Sequence, residues 1–158
     1  MNELTKNRVR MATLADAASI ARLEETCFSC PYNEAAVTDL LTGSHHPAFV
    51  VYGDGEELLG YLLGQSIPPE GDLLRIAVDP HARRTGVAKL LLDAFTTYLK
   101  ENGCTVCYLD VRDHNLPAQT LYTAHGFAPI DRRKSYYRLP TEDAIVMRCD
   151  LDAKEPKL

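Results

Sequence analysis

Arg83-Arg84-Thr85-Gly86-Val87-Ala88 decides the fold of this chain, because this turn stands between a short apolar run and an amphipathic helix. The apolar run covers residues 73–78 and ends at Asp79-Pro80, which predicts a largely buried strand. After the turn, apolar residues recur at helical spacing over residues 87–99, and Asn102-Gly103 supplies a stop. The turn is therefore predicted to connect the end of a strand to the start of a long helix.

The position of this turn makes it a candidate anion site. The first backbone NH groups of a helix lack carbonyl partners, and the helix dipole adds partial positive charge there. Gly86 has no Cβ to block a phosphate, while Arg83, Arg84 and Lys89 add positive charge. The R-x-x-G-x-A spacing alone is weak and is more often a basic loop that caps a core helix. The flanking strand and helix favour the anion site.

The strand, the Val78-Asp79-Pro80 step, the R-R-x-G-x-A turn and the helix together resemble the acetyl-CoA-binding core of the GNAT superfamily of N-acetyltransferases. The resemblance implies that the turn binds the pyrophosphate of acetyl-CoA through backbone amides, and that the preceding strand pairs with the pantetheine amides. It assigns Ile76, Ala77 and Val78 to the pantetheine arm and Arg83, Arg84, Thr85, Gly86, Val87, Ala88 and Lys89 to the pyrophosphate. A dinucleotide-binding fold is disfavoured, because G-x-G-x-x-G is missing and the turn lies midway along the chain.

Composition and charge limit the class of protein. The chain has 158 residues and is 46% hydrophobic, which predicts one domain with a substantial core. The net charge of -5 argues against nonspecific nucleic-acid binding and leaves open an acidic groove for a basic partner. No stretch approaches the roughly 18 apolar residues of a membrane span, and residues 1–6 lack an apolar signal region. We therefore expect a cytoplasmic protein without a membrane partner, as a monomer or weak dimer.

The five cysteines do not predict a metal site. Their odd number is typical of reduced thiols in a cytosolic protein. Cys27 with Cys30 and Cys104 with Cys107 form two C-x-x-C pairs, but roughly 70 residues separate the pairs, beyond zinc-ribbon spacing. We expect acetyl-CoA as the co-substrate and no metal.

The remaining periodicity predicts an alternating series of short elements. Strands are expected at residues 9–12, 48–52, 58–65, 73–78, 105–111, 127–130 and 144–147, and helices at residues 13–25, 33–41, 87–101 and 117–125. The resulting order, β-α-α-β-β-β-α-β-α-β-β, is an α/β domain whose mixed sheet of about seven strands is flanked by about four helices. This order also resembles the GNAT fold, which predicts an N-acetyltransferase domain over residues 1–152 and a tail over residues 153–158.

A closer resemblance comes from further segments. They are Leu109-Asp110-Val111-Arg112-Asp113-His114-Asn115, Leu121-Tyr122, Gly126-Phe127, Tyr136-Tyr137 and Glu142-Asp143-Ala144-Ile145-Val146-Met147, with Phe28-x-x-Pro31-Tyr32-Asn33 near the N-terminus. These segments resemble the RimI subfamily of ribosomal-protein N-terminal acetyltransferases. The resemblance implies that Asp110 is the base that deprotonates the acceptor amine through water, and that Tyr122 protonates the coenzyme A thiolate. It also supports Asn115 as a hydrogen-bond partner of the pantetheine arm.

The residues alone leave other roles open. Asp110 could be a general base if burial raises its pKa, or a hydrogen-bonded residue at a strand end. Tyr122 could be a core aromatic residue, and Asn115 a helix cap. The chain also departs from the family pattern: Asp110 replaces a Glu and is shorter by one bond of about 1.5 Å. His114 stands where Ser is usual, where it could share the proton transfer or belong only to the turn, and Tyr32 replaces Trp.

Acceptor binding is predicted in two loops. The resemblance implies that a peptide enters between residues 24–33 and residues 134–142. Both segments contain aromatic and acidic side chains, so we expect Tyr32 and Tyr137 to line the groove and Glu24 to meet a basic peptide or its α-ammonium. An ordinary solvated or core position is the alternative for each. The sequence thus favours transfer of an acetyl group from acetyl-CoA directly to a protein N-terminus, with a ribosomal protein as the expected acceptor. Acetylation of a small amine or a lysine side chain is the alternative, and a silent acetyl-CoA-binding module is the third reading.

Overall fold

Residues 9–151, which the computed structural model describes, form one seven-stranded sheet and four α-helices. The strands are β1 (Val9–Met11), β2 (Ala48–Tyr52), β3 (Leu58–Ile67), β4 (Glu70–Val78), β5 (Val106–Arg112), β6 (Ala128–Tyr137) and β7 (Glu142–Asp150). The helices are α1 (Ala17–Cys27), α2 (Glu34–Thr42), α3 (Val87–Glu101) and α4 (Leu116–Ala124), with 3-10 turns at Leu14–Asp16 and Pro80–Ala82. The predicted order of elements is confirmed, whereas the predicted tail at residues 153–158 lies outside the described residues.

The sheet has the order β1-β2-β3-β4-β5-β7-β6. Its neighbouring strands are antiparallel except for β4 and β5, which run parallel. A parallel pair needs a crossover connection, and α3 provides it. The mixed sheet predicted from the sequence is confirmed.

Strand alternation separates the apolar side chains into two cores, one on each face of the sheet. Phe49 and Val51 point to the core that α3 and α4 cover, whereas Val50 between them points to the core under α1 and α2. Helix α3 packs very close to the sheet. A Cβ added at Gly64 of β3 would come 2.3 Å from the Phe95 ring of α3. This close packing holds α3 against β3.

The parallel pair β4 and β5 separates at one end. Paired residues run from Glu70 with Val106 to Leu73 with Leu109 and then stop. Beyond that point β4 remains paired only with β3 as far as Val78, and β5 remains paired only with β7 as far as Arg112. The sheet therefore has an opening between residues 74–78 and residues 110–112, where backbone groups on the facing edges lack strand partners.

The last two strands are longer than predicted. The hydrophobic pattern predicts only residues 127–130 and 144–147, but β6 and β7 have ten and nine residues. Residues 128–136 are all exposed, so β6 has no buried face to produce an apolar alternation, and pairing with β7 is what makes it a strand. The predicted acceptor loop at residues 134–142 is consequently a turn of only residues 138–141.

Candidate active site

The turn before α3 has the geometry of an anion site. Gly86 is the N-cap of α3 with a φ of 88°, and no atom lies within 4 Å of a Cβ added there. The first helical turn contains no acidic residue. Open space therefore faces the NH groups at the start of α3, and their partial charge favours an anion.

The predicted pyrophosphate residues differ in what they can offer. Val87 is buried in the core, so only its backbone faces the turn, whereas Arg84 and Thr85 are exposed. Arg83 is already engaged, because its Nε donates to the Val78 carbonyl at 3.2 Å. Lys89 forms an exposed ion pair with Asp93 at 2.9 Å. All three cations are exposed, but among residues 9–151 only Arg83 and Lys89 of the three have hydrogen-bond or ion-pair partners, which leaves the Arg84 charge available at the turn.

The predicted pantetheine residues lie along the opening in the sheet. Ile76, Ala77 and Val78 all belong to the part of β4 that has no pairing with β5. Ala77 packs in the core under α1 and α2, while Ile76 and Val78 pack against the opposite core. Their side chains are thus anchored, and the backbone edge of β4 faces the opening.

Asn115 is the N-cap of α4, and its Oδ1 accepts a hydrogen bond from the Ala118 backbone at 3.2 Å. The structural role predicted for Asn115 is confirmed. Its role toward the pantetheine arm stays a prediction.

Tyr122 lies on α4 with only 5% of the residue exposed, and its ring packs edge-on against Phe127 at 5.9 Å. Burial raises the pKa of the Tyr122 hydroxyl well above its usual range, and nearby Tyr137 adds to this effect. The hydroxyl therefore keeps its proton at neutral pH, as a general acid must.

Asp110 lies on β5 at the start of the opening, with 29% of its side chain exposed. Its Oδ1 accepts a hydrogen bond from Arg133 Nε at 3.3 Å, which forms an ion pair across to β6. Both side chains line a cavity of about 500 Å³ that also contains Asp72. Burial raises the pKa of Asp72, and the carboxylates of Glu70 and Asp110 add to that effect.

Aromatic residues from two segments lie near Asp110. Tyr136 and Tyr137 contact each other edge-on at 5.1 Å. Burial raises the pKa of Tyr137 to about 12, with the Asp110 carboxylate as the second cause. Burial also raises the pKa of Tyr136, to which Asp110 and Tyr32 both contribute. Tyr136 and Tyr137 therefore lie close enough to Asp110 to feel its charge, and Tyr32 lies close to Tyr136. The role of Tyr32 and Tyr137 in binding an acceptor stays a prediction.

Glu24 has a different environment from the one predicted. Its side chain is 0% exposed. It accepts hydrogen bonds from the Tyr61 hydroxyl, from the Tyr32 backbone at 2.8 Å and from Arg75 at 3.1 Å. The structure thus replaces the predicted substrate contact with a supporting role beneath the loop, because the carboxylate has no free surface for an acceptor.

Two arginines at the site were missed by the sequence reasoning. Arg75 lies over the rings of Phe28 and Tyr32 at 4.1 and 4.2 Å. Arg112 lies over the Tyr137 ring at 4.5 Å and donates to the carbonyls of residues 138 and 140. Arg75 therefore connects β4 to the first predicted acceptor segment, residues 24–33. Arg112 connects β5 to the second, residues 134–142. The signal for Arg75 was present, since it is a lone charge within the apolar run of residues 73–78.

His114 lies in an exposed turn directly after β5. Its backbone NH donates to Glu142 at 2.7 Å, and its ring lies 3.1 Å from the same carboxylate with 86% of the side chain exposed. The contacts connect the end of β5 to the start of β7. A share in proton transfer stays a prediction.

The cysteines are all free, and Cys104, Cys107 and Cys149 are buried. Over residues 9–151 no group of three or more His, Cys, Asp or Glu side chains could hold a metal ion. The same part of the chain contains no helix that is long and apolar enough to cross a membrane.

A comparison with family models decides the family. The model of the acetyltransferase (GNAT) family matches residues 17–127, which include the turn, both separating strands and Tyr122. The chain belongs to the GNAT family of acetyltransferases. The GNAT fold and the acetyltransferase activity predicted from the sequence are thereby confirmed.

Relatives of this acetyltransferase span nearly its whole length. It is 34% identical over 144 residues to "N-alpha-acetyltransferase RimI" of Mycobacterium tuberculosis, covering 87% of this chain and 89% of that protein. It is 28% identical over 145 residues to "[Ribosomal protein bS18]-alanine N-acetyltransferase" of Escherichia coli, covering 89% and 95%. The predicted resemblance to RimI enzymes is confirmed.

Solved structures agree with this relationship. The crystal structure of the ribosomal-protein-S18-alanine N-acetyltransferase from Escherichia coli superposes with a TM-score of 0.85 at 26% identity, covering 95% of this chain and 97% of that one. Arabidopsis thaliana NAA60 in complex with acetyl-CoA has a TM-score of 0.83 at 19% identity, covering 91% and 98%, and shows the shared fold. Acetyl-CoA is the acetyl donor of the GNAT family.

Proposed function

We propose that this acetyltransferase transfers the acetyl group of acetyl-CoA directly to the N-terminal α-amine of a protein, and that the acceptor is a ribosomal protein. The observation that carries the proposal is the meeting of two features at the opening between β4 and β5. The anion turn and the free edge of β4 lie on one side, and Asp110 with the tyrosines of the acceptor segments lies on the other. The RimI-type relatives support the choice of a protein N-terminus.

The donor binds along β4 and the start of α3. Backbone NH groups after Gly86 hold the pyrophosphate, and the exposed guanidinium of Arg84 adds charge. The pantetheine amides pair with the free edge at residues 76–78, as an added strand would. Because both contacts use backbone groups on anchored elements, the donor is held without reorganisation of the protein.

The acceptor amine binds at Asp110 and must lose a proton before it can attack. Asp110 takes this proton through a water molecule, and the neutral amine forms a bond to the thioester carbonyl carbon. The carbon–sulfur bond then breaks, and the thiolate takes a proton from the Tyr122 hydroxyl, which burial keeps protonated. The new amide nitrogen loses its extra proton, which passes through water to restore the Tyr122 hydroxyl. No cysteine nucleophile is needed, and burial raises the pKa of Cys27, the thiol that contacts the end of β4.

The ion pair between Arg133 and Asp110 competes with acceptor binding in this mechanism. Arg133 Nε occupies Asp110 Oδ1 at 3.3 Å, where the acceptor ammonium would also bind. Arg133 is 52% exposed at the side chain, so it can swing into solvent when an acceptor arrives. The contact also favours a second candidate, a silent acetyl-CoA-binding module in which Asp110 stays paired.

The test is to follow thiol release from acetyl-CoA with matched peptides. One peptide of each pair has a free α-amine and the other a blocked one, and both contain a lysine; polyamines and aminoglycosides complete the panel. We expect turnover only with free α-amines. Equal turnover with blocked peptides would favour lysine acetylation, and turnover confined to polyamines or aminoglycosides would favour a small-amine acceptor. Coenzyme A binding without any turnover would favour the silent module.

A further inference from the structure

Arg75 makes an unusual set of contacts for a residue in a buried strand. It lies on β4, where it is paired with Leu63 of β3, and 20% of its side chain is exposed. Its guanidinium lies between the rings of Phe28 at 4.1 Å and Tyr32 at 4.2 Å. A cation over an aromatic face is attracted to it, and partial burial strengthens that attraction. The two rings come from one segment, the connection between α1 and α2.

Polar contacts attach the same segment to the same arginine. Arg75 Nη2 donates to the Cys30 carbonyl at 2.8 Å and to the Glu24 carboxylate at 3.1 Å. Glu24 in turn accepts a hydrogen bond from the Tyr32 backbone at 2.8 Å. Arg75 thus holds the backbone before Pro31 and Glu24 the backbone after it. The Arg75 guanidinium also lies over the Phe28 and Tyr32 rings.

The exposed part of this segment has few other means to keep one conformation. Residues 29–31 are exposed and belong to no helix or strand. Side chains that do not pack against a core impose little order on a loop. Phe28 and Tyr32 pack partly against the core under α1 and α2, and Arg75 adds the hydrogen bond to Cys30 that holds the exposed stretch between them.

Arg75 also precedes Ile76, the first residue of the predicted pantetheine edge of β4. One strand therefore carries both the donor edge and the side chain that orders an acceptor wall. Transfer between two substrates is sensitive to their relative placement, and an error of about 1 Å can lower the rate roughly 100-fold. A direct connection between the two sites through β4 limits this error.

We propose that Arg75 is a positioning residue of the acceptor site, which holds the Phe28–Tyr32 wall at a fixed place relative to the donor strand. The proposal rests on the proposed transfer to a peptide amine. It assigns to Arg75 no contact with the reacting atoms. Its loss should weaken the binding and placement of the acceptor and leave the binding of acetyl-CoA intact.

The variants Arg75→Met and Arg75→Lys test this role. Methionine keeps the length of the side chain and removes its charge. We expect Arg75→Met to raise the KM for a free α-amine peptide roughly tenfold, and the KM for acetyl-CoA less than about twofold. Arg75→Lys should raise the acceptor KM less than Arg75→Met does. An ammonium can pair with Glu24, but it cannot stack between two rings as a planar guanidinium does.

Arg10 provides a matched control in a region remote from the site. Arg10 pairs with Asp16 at 3.0 Å and lies over the Tyr52 ring at 5.4 Å, which are contacts of the same kind. Arg10→Met should lower thermal stability without a selective change in the acceptor KM. The proposal is overturned if Arg75→Met leaves the acceptor KM within about twofold of the parent value, or if Arg10→Met raises it equally.

A second measurement keeps the test independent of activity and of the proposed function. Backbone amide exchange at residues 28–33 should become at least about tenfold faster in Arg75→Lys than in the parent protein, and remain unchanged in Arg10→Met. Unchanged exchange in Arg75→Lys would overturn the positioning role, even if the parent enzyme prefers a different amine. Failure of the parent enzyme with free α-amine peptides would instead contradict the proposed function alone.

Discussion

Glu24→Gln distinguishes a buried structural carboxylate from a surface residue that contacts substrate. Glutamine has nearly the same shape, and its oxygen can still accept from the Tyr32 backbone and Arg75, which both use Oε1. Its amide group then faces the Tyr61 hydroxyl, which donates to Oε2 in the parent protein. The substitution therefore removes a charge and reverses one hydrogen bond, while packing is kept.

The expected cost follows from the burial of this cluster. Glu24 is 0% exposed and its partner Arg75 is 20% exposed, so the arginine loses a counter-ion that water replaces only in part. Removing one partner of a buried ion pair costs about 3–5 kcal/mol. Since glutamine keeps two of the three hydrogen bonds, we expect a loss of about 2–3 kcal/mol in the free energy of unfolding. For a domain of this size that lowers Tm by roughly 5–10 °C.

The assay is thermal unfolding followed by circular dichroism, with Glu25→Gln as the matched control. Glu25 is the next residue on α1 and is exposed, so its variant should melt within roughly 2 °C of the parent protein. Equal melting temperatures for the two variants would refute the reasoning.

Three further variants address the chemistry and the pH dependence. Tyr122→Phe should lower kcat at least about 100-fold with little change in acetyl-CoA affinity, while Tyr98→Phe serves as the control; equal kcat values would remove Tyr122 from the mechanism. Asp110→Glu should raise kcat up to roughly tenfold, since the cavity of about 500 Å³ accommodates the added methylene, and a fall would show that the site is built around the shorter acid. Burial lowers the pKa of His125 from 6.5, against the opposing effect of Asp93. Below that pH the unfolded chain binds more protons, so the free energy of unfolding falls as the pH drops from about 7 to about 5. In urea unfolding, His125→Gln should flatten this slope, and an unchanged slope would contradict the assignment.

Local patterns predicted most of the fold. Apolar periodicity identified the helices because α1 and α3 each bury one side, and Asn33 and Asn115 act as caps as their positions suggested. The pattern failed at β6, whose residues gain strand structure only by pairing with β7. Hydrogen bonding to a distant strand leaves no periodic trace in an exposed segment.

The candidate site was predicted in part. The anion turn depends on a glycine, a helix start and nearby cations, all of which are adjacent in sequence. The resemblance supplied the roles of Asp110 and Tyr122, and the structure adds their environments, an ion pair for one and burial for the other. The acid at residue 24 could not be placed correctly, because exposure depends on partners that lie far away along the chain.

By itself, the sequence determined the order of elements, the turn that precedes α3 and the membership of the acetyltransferase family, since these depend on neighbouring residues and on short motifs. Only the tertiary structure decided where β4 and β5 separate and which charges meet across that opening. It paired Arg75 with Glu24 and Arg133 with Asp110. The physical reason is that burial and charge pairing arise between segments that the fold brings together.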